Sequence, residues 1–277
     1  MTQNDFRFEE FTAKHLDDAV RLSRRAGWPH RRDDWACLLG LSHGVVATSS
    51  GQVVATALAT PFGPAAMANM IIVDQDLRGR GLGRAVMQRA MALITPEEWR
   101  LVATQEGLPL YQSLGFEAVG RVLQCQGEVR ASAAPPDSVR WARVGDLATI
   151  ARIDAAATGM QRERLLEYLT VHGRFAVLEA GGAVAGYAAL RPFGRGELAG
   201  PVIARDQAQA ADLLGFFFAR CEGRFLRVDT APETDIAGFL ALHGLACVAD
   251  GIAMRRGAAA RAPSEFRNFA LAAQALG

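Results

Sequence analysis

Apolar and polar positions along the chain switch between the spacing of strands and the spacing of helices in a regular order. Short alternating or continuous apolar runs predict strands, and apolar residues three and four positions apart predict amphipathic helices. The elements predicted in the first half are a strand, two helices, three strands, a helix, a strand, a short helix and closing strands, at Phe6–Phe11, His15–Arg25, Asp33–Leu41, Val45–Thr48, Val53–Thr60, Ala68–Val73, Gly83–Ile94, Arg100–Ala103, Leu108–Leu114 and Phe116–Glu128. This order predicts a mixed α/β fold, with twisted sheets flanked by helices.

The second half repeats this order, and one segment shows the repeat residue by residue. Val45–Gly63, which reads VVATSSGQVVATALATPFG, aligns without gaps with Ala176–Gly194, which reads AVLEAGGAVAGYAALRPFG. Two unrelated hairpins of equal length would share a turn glycine and some valines by chance. The shared Pro-Phe-Gly exit makes chance a poorer explanation, so we interpret the chain as a duplicated α/β unit.

The segment least compatible with regular structure is Arg130–Ser138, RASAAPPDS, which contains two adjacent prolines and small polar residues. We predict that it links two domains, at residues 1–129 and 139–277. A chain of 277 residues has room for two domains of ordinary size.

Composition and charge exclude several function classes. Half of the residues are hydrophobic and 21% are charged, which is ample for two buried cores. The net charge of +1 and the lack of long basic runs argue against nucleic-acid binding. The polar amino terminus does not resemble a signal peptide, and no apolar run is long enough to span a membrane.

The four cysteines, Cys37, Cys125, Cys221 and Cys247, are widely scattered and form no C-x-x-C spacing. This pattern argues against a zinc site or a redox pair. Isolated cysteines with apolar neighbours are typical of a reducing compartment, so we expect a cytoplasmic protein without a metal.

The most informative segment for chemistry is Met70–Ala90, MIIVDQDLRGRGLGRAVMQRA. An apolar strand leads into three glycines on alternate positions, and an amphipathic helix follows. Glycines allow close backbone approach to a ligand, and the first amides of a helix favour an anion. Arg78, Arg80 and Arg84 add positive charge, so the segment predicts a pyrophosphate site.

Three kinds of phosphate loop compete for this segment. A Walker A loop requires a lysine that is missing, and the dinucleotide motif G-x-G-x-x-G requires glycine where Arg84 stands. The pattern R/Q-x-x-G-x-G/A is satisfied by Arg78, Gly81 and Gly83. With its preceding strand and following helix, it resembles the acetyl-CoA-binding motif of the GNAT N-acetyltransferase superfamily. The alternative is an ordinary glycine-rich turn between a strand and a helix.

A second segment carries the same resemblance. Leu110–Phe116, LYQSLGF, is similar to the L-Y-x-x-x-G-F signature of that superfamily and follows the glycine loop at about the expected distance. The resemblance implies that Tyr111 lies near the sulfur of acetyl-CoA and protonates the departing thiolate. A phenol suits this role because its pKa, about 10, lies slightly above that of a thiol. The alternative is a core aromatic residue on a short helix.

The resemblance extends over essentially the whole chain. Gly200–Val202 and the tail FRNFALAAQALG look like the acetyltransferase-like carboxy-terminal module of some bacterial tandem GNAT proteins. It implies two tandem GNAT-like domains, each a twisted mixed sheet flanked by helices. The repeat places Asp206–Leu213 at the glycine loop and Leu240 at Tyr111, so we expect a second domain that binds no acetyl-CoA. Its expected tasks are to cover the acceptor side, to shape the pocket or to form a homodimer contact.

The chain departs from the superfamily pattern at the general base. Many relatives carry a glutamate on the strand before the loop, whereas Ala65–Val73 contains no carboxylate. Deprotonation of the amine must then use water or a residue from elsewhere. The segment that borders the acceptor pocket in the superfamily corresponds to Gly27–Trp35. It offers these candidates for substrate contact: Trp28, His30, Asp33, Asp34 and Trp35. Asp33 and Asp34 also suit the N-cap of a helix, which alone would explain them.

The resemblance implies direct transfer of an acetyl group from acetyl-CoA to a primary amine in the first domain. The residues expected to contact the cofactor are Ile71, Ile72, Val73, Arg78, Gly79, Arg80, Gly81, Leu82, Gly83 and Arg84. The alternatives are a non-catalytic sensor that binds acyl-CoA or another ligand, and a scaffold that binds neither. The acceptor, a small amine or a protein amine, stays open at this level.

Overall fold

The structure, a computed structural model, describes residues 6–130, 134 and 136–277, and its first half follows the hydrophobic pattern closely. The elements of this half are β1 (Arg7–Glu10), α1 (Leu16–Arg25), α2 (Arg32–Leu41), β2 (His43–Ser49), β3 (Gln52–Phe62), β4 (Ala65–Val73), α3 (Leu82–Met91), β5 (Glu98–Ala103), α4 (Leu108–Ser113) and β6 (Glu117–Glu128). Several predicted bounds differ from the structure by one to three residues; β4, for example, begins at Ala65 rather than Ala68. Helix α3 ends at Met91 rather than Ile94, since Pro96 follows closely and disfavours a helical residue before it. A single strand, β6, stands where several were expected.

The second half repeats the first element by element, which confirms the predicted duplication. Its elements are β7 (Val139–Trp141), α5 (Leu147–Thr158), α6 (Glu163–His172), β8 (Arg174–Ala180), β9 (Ala183–Phe193), β10 (Gly196–Ala204), α7 (Gln207–Phe218), β11 (Phe225–Thr230), α8 (Ala237–Leu242), β12 (Ala246–Gly257) and β13 (Arg267–Ala270). The bounds of α2, β2, β3 and β4, and the start of α1, recur after a constant shift of 131 residues. Strand β13 has no counterpart among the described elements of the first half.

All thirteen described strands form one mixed sheet, in the order β1-β2-β3-β4-β5-β12-β6-β11-β10-β9-β8-β7, with β13 beside β10. The predicted fold class, a mixed α/β fold with flanking helices, is therefore confirmed. The two halves exchange strands at the centre. β12 from the second half pairs with β5, and β6 from the first half pairs with β11. Backbone hydrogen bonds thus join strands that precede the predicted linker to strands that follow it. Residues 131–133 and 135 of that linker lie outside the described part of the chain.

The exchange also explains a wrong expectation about the cysteines. Cys125 on β6 and Cys247 on β12 face each other in the register of these strands and form a disulfide. They are 122 residues apart in sequence, so no spacing motif could reveal the pair. Cys37 and Cys221 are buried and free. The prediction of a reducing compartment rested partly on four isolated cysteines, and two of them are paired.

The helices pack so that the two halves share a core. Residues of α1, α2, α5 and α6, such as Leu22, Trp35, Ile150 and Leu165, belong to one apolar cluster that spans both halves. Helix α3 lies over a cluster of the first half, and α7 lies over a cluster of the second half. None of the described helices is both long enough and apolar enough to cross a membrane.

Candidate functional site

A cleft opens where β4 and β5 diverge. These parallel strands pair only at their beginnings, from Ala65 opposite Glu98 to Met67 opposite Arg100. Met70 adopts a positive φ of 51°, and the register with β3 shifts at this point, so β4 carries a bulge. A bulge bends its strand, and the side of Ile71–Val73 that faces β5 is left without a strand partner among the described residues. We call the resulting cavity, of about 600 Å³, the β4–β5 cleft.

The glycine loop forms one wall of this cleft. Gly79 and Gly81 have φ values of 76° and 78°, a left-handed conformation that glycine adopts without strain. Gly81 is the N-cap of α3, so the first amides of this helix open toward the cleft. Of the ten residues expected to contact the cofactor, nine line the cleft. The exception, Arg80, is exposed and does not contribute to the lining.

Two of the three basic side chains around the loop, those of Arg78 and Arg84, already have partners. Arg78 pairs with Glu106 across the cleft at 2.8 Å, and Arg84 donates to the Ser113 hydroxyl. Both members of the Arg78–Glu106 pair are exposed, and an exposed ion pair contributes little free energy. A phosphate that approaches the helix amides can therefore replace Glu106 at small cost.

Tyr111 stands at the inner end of the cleft. It lies on α4, and its ring packs edge-on against Phe116 at 6.3 Å. Among the described residues, none accepts a hydrogen bond from its hydroxyl. Burial raises the pKa of Tyr111 to about 12, so the phenol stays protonated at neutral pH. The pKa of Tyr111 is thus higher than the value of about 10 expected for a phenol, so Tyr111 is a weaker acid than the sequence suggested.

A second cavity, of about 170 Å³, adjoins the cleft, and we call it the seam cavity because both halves line it. Trp28, Ile71, Thr104 and Tyr111 belong to both cavities. The other residues that line the seam cavity are Pro29, His30, Asp34, Cys37, Leu38, Ala68, Asn69, Met70, Val102, Ala103, Gln124, Arg191, Phe193, Arg227, Asp250, Gly251, Ala273, Gln274, Ala275 and Leu276.

The predicted substrate residues separate into two groups. Trp28, His30 and Asp34 line the seam cavity, whereas Asp33 does not and instead borders a surface groove. Trp35 is fully buried and donates from Nε1 to the Ser23 hydroxyl, so it belongs to the core.

Asp34 has a structural task that only partly matches the expected N-cap. The N-cap of α2 is Arg31. The Asp34 carboxylate, in the first turn of this helix, accepts a hydrogen bond of 2.8 Å from the backbone amide of Arg31. The Arg31 guanidinium and the Gly194 amide also donate to this carboxylate. Burial opposes its charge, but these bonds hold the pKa of Asp34 below its usual value. Asp34 is therefore an ionised group whose oxygens are already engaged.

His30 lies between the halves and stays neutral. It packs edge-on against Phe193 of the second half, 5.5 Å between ring centres. Burial lowers the pKa of His30 to about 4, and the nearby charges of Arg227 and Arg191 act in the same direction. At neutral pH this imidazole can donate or accept a hydrogen bond, but it is a weak base.

Sequence reasoning expected the second half to shape a pocket but named none of its residues that line this cavity. Arg191, Arg227, Asp250 and Gln274 line it. Arg191 directly precedes the shared Pro-Phe-Gly exit, and Gln274 lies in the tail FRNFALAAQALG. A partial signal was present, because Arg191 interrupts the apolar run of β9 and Arg227 that of β11. Asn69 on β4 is the corresponding polar interruption in the first half.

The equivalent region of the second half is closed by the chain itself. Asp206 caps α7 by accepting from the Gln209 amide at 2.9 Å. Leu240 occupies the place of Tyr111, with the same backbone bonds around it. Strand β13 pairs with Val202–Ala204, the segment that corresponds to Ile71–Val73. Among the described residues no group of His, Cys, Asp and Glu suited to a metal ion occurs.

Comparison with sequence families matches both halves to one description, "Acetyltransferase (GNAT) domain", over residues 40–118 and over residues 150–269. The chain is 28% identical, over 229 residues, to the Bacillus subtilis protein named uncharacterized N-acetyltransferase YitH. This alignment covers 79% of the present chain and 80% of that protein.

Solved structures share the whole architecture. A putative acetyltransferase from Pyrococcus horikoshii has a TM-score of 0.84 at 18% identity and covers 100% of this chain and 98% of its own. A tandem GNAT protein from the clavulanic acid biosynthesis pathway has a TM-score of 0.61 at 16% identity, with coverages of 93% and 100%. At such low identities these structures bear on the fold alone.

Proposed function

This chain belongs to the GNAT acetyltransferase family, with a domain of that family in each half, and we propose that it transfers an acetyl group from acetyl-CoA to a primary amine in its first half. The observation that supports this best is the position of Tyr111, which lines both the β4–β5 cleft and the seam cavity. A thioester in the cleft and an amine in the cavity would meet beside its hydroxyl.

The cleft fits acetyl-CoA on the chemistry of its walls. The amides at the start of α3 and the side chains of Arg78 and Arg84 would bind the pyrophosphate. The free side of Ile71–Val73 would accept the amides of the pantetheine arm, as a neighbouring strand would. Acetyl-CoA supplies the activated acetyl group.

In the proposed reaction the amine nitrogen attacks the thioester carbon, the C–N bond forms and the C–S bond breaks. Backbone amides near Ile72 and Val73 stabilise the charge that develops on the carbonyl oxygen. Tyr111 donates a hydrogen bond to the departing sulfur, and its raised pKa keeps that proton available. The proton lost by the amine passes to water, because Asp34 is already engaged and His30 is a weak base.

Orientation of the two reactants should contribute most of the rate. Well-placed reactants gain up to about 7–11 kcal/mol from proximity and orientation in favourable systems. The seam cavity contributes by holding the amine at a fixed place beside Tyr111 and Ile71, since both residues belong to its wall.

Incubation of the protein with acetyl-CoA and a broad panel of amines, with release of free CoA and the mass of the product as readouts, tests this function. We expect CoA release that depends on the amine. Tight binding of acetyl-CoA without amine-dependent release would instead identify a sensor. A protein that binds no acetyl-CoA would refute both the proposed transfer and a sensor of acetyl-CoA.

A further inference from the structure

Three residues that line the seam cavity each carry a buried polar atom that has no hydrogen-bond partner among the described residues. The atoms are Oδ1 of Asn69, Nε of Arg191 and Nδ1 of His30. A buried polar atom without a partner costs about 1–3 kcal/mol. Three such atoms around one cavity indicate that a ligand supplies the missing partners.

The wall of the cavity carries surplus positive charge at Arg191. The Arg191 side chain is almost fully buried, and the nearest carboxylate oxygen, on Asp34, is 4.0 Å away and already bound by Arg31. The hydrogen bonds that Arg191 donates among the described residues go only to the carbonyl oxygens of Ala272 and Pro192, at 3.3 and 3.5 Å. Burial lowers the pKa of Arg191, a sign that its charge lacks full compensation.

Arg227 stands on the same side but is neutralised. It forms two hydrogen bonds of 2.9 Å with Asp229, so this pair has no net charge. Both guanidinium groups lie near the Phe193 ring, Arg191 at 4.8 Å and Arg227 at 5.3 Å from its centre. The His30 ring meets the same phenylalanine. Arg191 therefore contributes the uncompensated charge, beside a neutral imidazole with a free nitrogen.

Asn69, in the wall of the same cavity, offers a hydrogen-bond acceptor. The Asn69 amide nitrogen donates to the Thr60 hydroxyl at 2.8 Å and to the Ala275 carbonyl at 3.0 Å, which fixes the side chain and leaves Oδ1 free. Asn69 directly precedes the bulge of β4, and Ile71 and Tyr111 share this part of the wall. An N–H group of an acceptor amine would complete the bonding of Oδ1.

We propose that the acceptor is a small primary amine that also carries a carboxylate, with the carboxylate on Nε of Arg191 and Nδ1–H of His30 and the amine on Oδ1 of Asn69. The assignment of the amine end rests on the proposed function, whereas the carboxylate end stands on the charge and the unpartnered donors. A carboxylate supplies the two acceptor oxygens that these donors lack.

The test compares matched ligands by calorimetry on the full chain saturated with CoA. The probes are glycine, β-alanine, 4-aminobutanoate and 5-aminopentanoate, each paired with its own carboxamide. We expect at least one acid to bind about 10- to 150-fold more tightly than its amide, the range for a hydrogen bond to a charged group. Amides that bind as tightly as every acid, or acids that do not bind at all, would overturn the proposal.

Substitution of the buried arginine locates the preference. Arg191→Gln should abolish the difference between acid and amide, and Arg191→Lys should restore part of it, because the charge returns without Nε. Arg205→Gln is the matched control, since its guanidinium is exposed and pairs with Glu265 on the surface. If Arg191→Gln does not fold, the comparison of acids and amides on the unaltered chain still tests whether the cavity binds a carboxylate. A preference that persists in folded Arg191→Gln would refute the site.

The carboxylate site and the proposed acetyl transfer can be refuted independently of each other. If acids bind through Arg191 but no amine in the panel is acetylated, the carboxylate site stands and the proposed function falls. If neutral amines are acetylated and no acid binds better than its amide, the function stands and the carboxylate site falls. An aminoalkyl phosphonate included in the panel would displace the carboxylate from the proposal if it alone showed the dependence on Arg191.

Discussion

The phenol of Tyr111 is buried and has a raised pKa, and the residue lines both the β4–β5 cleft and the seam cavity. If it assists departure of the CoA thiolate, Tyr111→Phe removes only the hydroxyl and should lower kcat by about 10²- to 10⁴-fold. The affinity for acetyl-CoA should change little. Single-turnover kinetics with the best amine, together with calorimetry for acetyl-CoA, measure both quantities. An unchanged rate of the chemical step would assign Tyr111 to the core.

His30 gives the fold a predictable sensitivity to acid. Its pKa is about 4 in the folded protein and about 6.5 when unfolded, so the unfolded chain binds more protons between these values. The free energy of unfolding should therefore rise with pH between about 4 and 6.5 and level off above. In His30→Gln this contribution, on the order of 3 kcal/mol, should disappear. Urea unfolding of both proteins across this pH range measures it, and parallel pH curves would contradict the assignment.

At the scale of single elements, the start of α3 is where stability and binding should respond differently. In Gly83→Asp a carboxylate enters the first turn of α3, where it interacts favourably with the helix dipole. The added Cβ would lie 3.4 Å from Leu110, which is tight but tolerable. The free energy of unfolding should thus change by less than about 1 kcal/mol. The affinity for acetyl-CoA should fall by more than about 100-fold, because the carboxylate repels the pyrophosphate.

Calorimetric titration of a folded Gly83→Asp protein checks this pair of effects. The matched control is Ala208→Asp, which places the same carboxylate at the second position of α7, at an exposed site in the other half. That variant should bind acetyl-CoA as the unaltered chain does. Unchanged affinity in Gly83→Asp would show that the glycine loop is not the phosphate site.

The buried ion pair of Arg162 with Asp154 connects helix α5 to the carboxy-terminal tail. Asp154 on α5 accepts from Nε of Arg162 at 3.0 Å, from its Nη2 at 2.6 Å and from the Tyr187 hydroxyl. Arg162 also donates to the carbonyl of Leu276, in the tail that lines the seam cavity. Arg162→Met leaves the Asp154 charge buried and without its partner.

We expect Arg162→Met to lower the free energy of unfolding by about 3–5 kcal/mol. Arg32→Met, which removes an exposed pair with Asp17, should cost less than about 1 kcal/mol and serves as the control. Chemical denaturation measures both. If the double variant Arg162→Met/Asp154→Leu recovered none of the loss, the buried charge would not be its cause.

The order of the elements was readable from the sequence, but their pairing was not. β6 and β12 are both twelve residues long and occupy the same place in the repeat. Their local sequence patterns would therefore allow either strand to pair with β5 or with β11. The duplication that made the fold predictable is thus what concealed the strand exchange. The glycine loop and Tyr111 carry local motifs, whereas Arg191 and Asn69 line one cavity only because the two halves pack together. A single sequence does not indicate that these two residues share a cavity.

For the whole molecule, the two halves have divided their tasks. The second half provides Arg191, Phe193 and Arg227 to the seam cavity, and the tail after β13 adds Ala273–Leu276. The first half provides the β4–β5 cleft and Tyr111. The shared sheet and the shared helix cluster hold these parts together, so the proposed acceptor site depends on both halves even if transfer takes place in one.

This division predicts that each chain binds one molecule of acetyl-CoA. In the second half, β10 and β11 also diverge after a short parallel pairing, but β13 pairs with Val202–Ala204. The edge that a pantetheine arm would use is therefore taken by the chain itself. Asp206 caps the amides of α7, and Leu240 replaces Tyr111. Titration of the full chain with acetyl-CoA should give a stoichiometry of about one. In Gly83→Asp no site of similar affinity should remain, whereas a second site would show that β13 gives way to the cofactor.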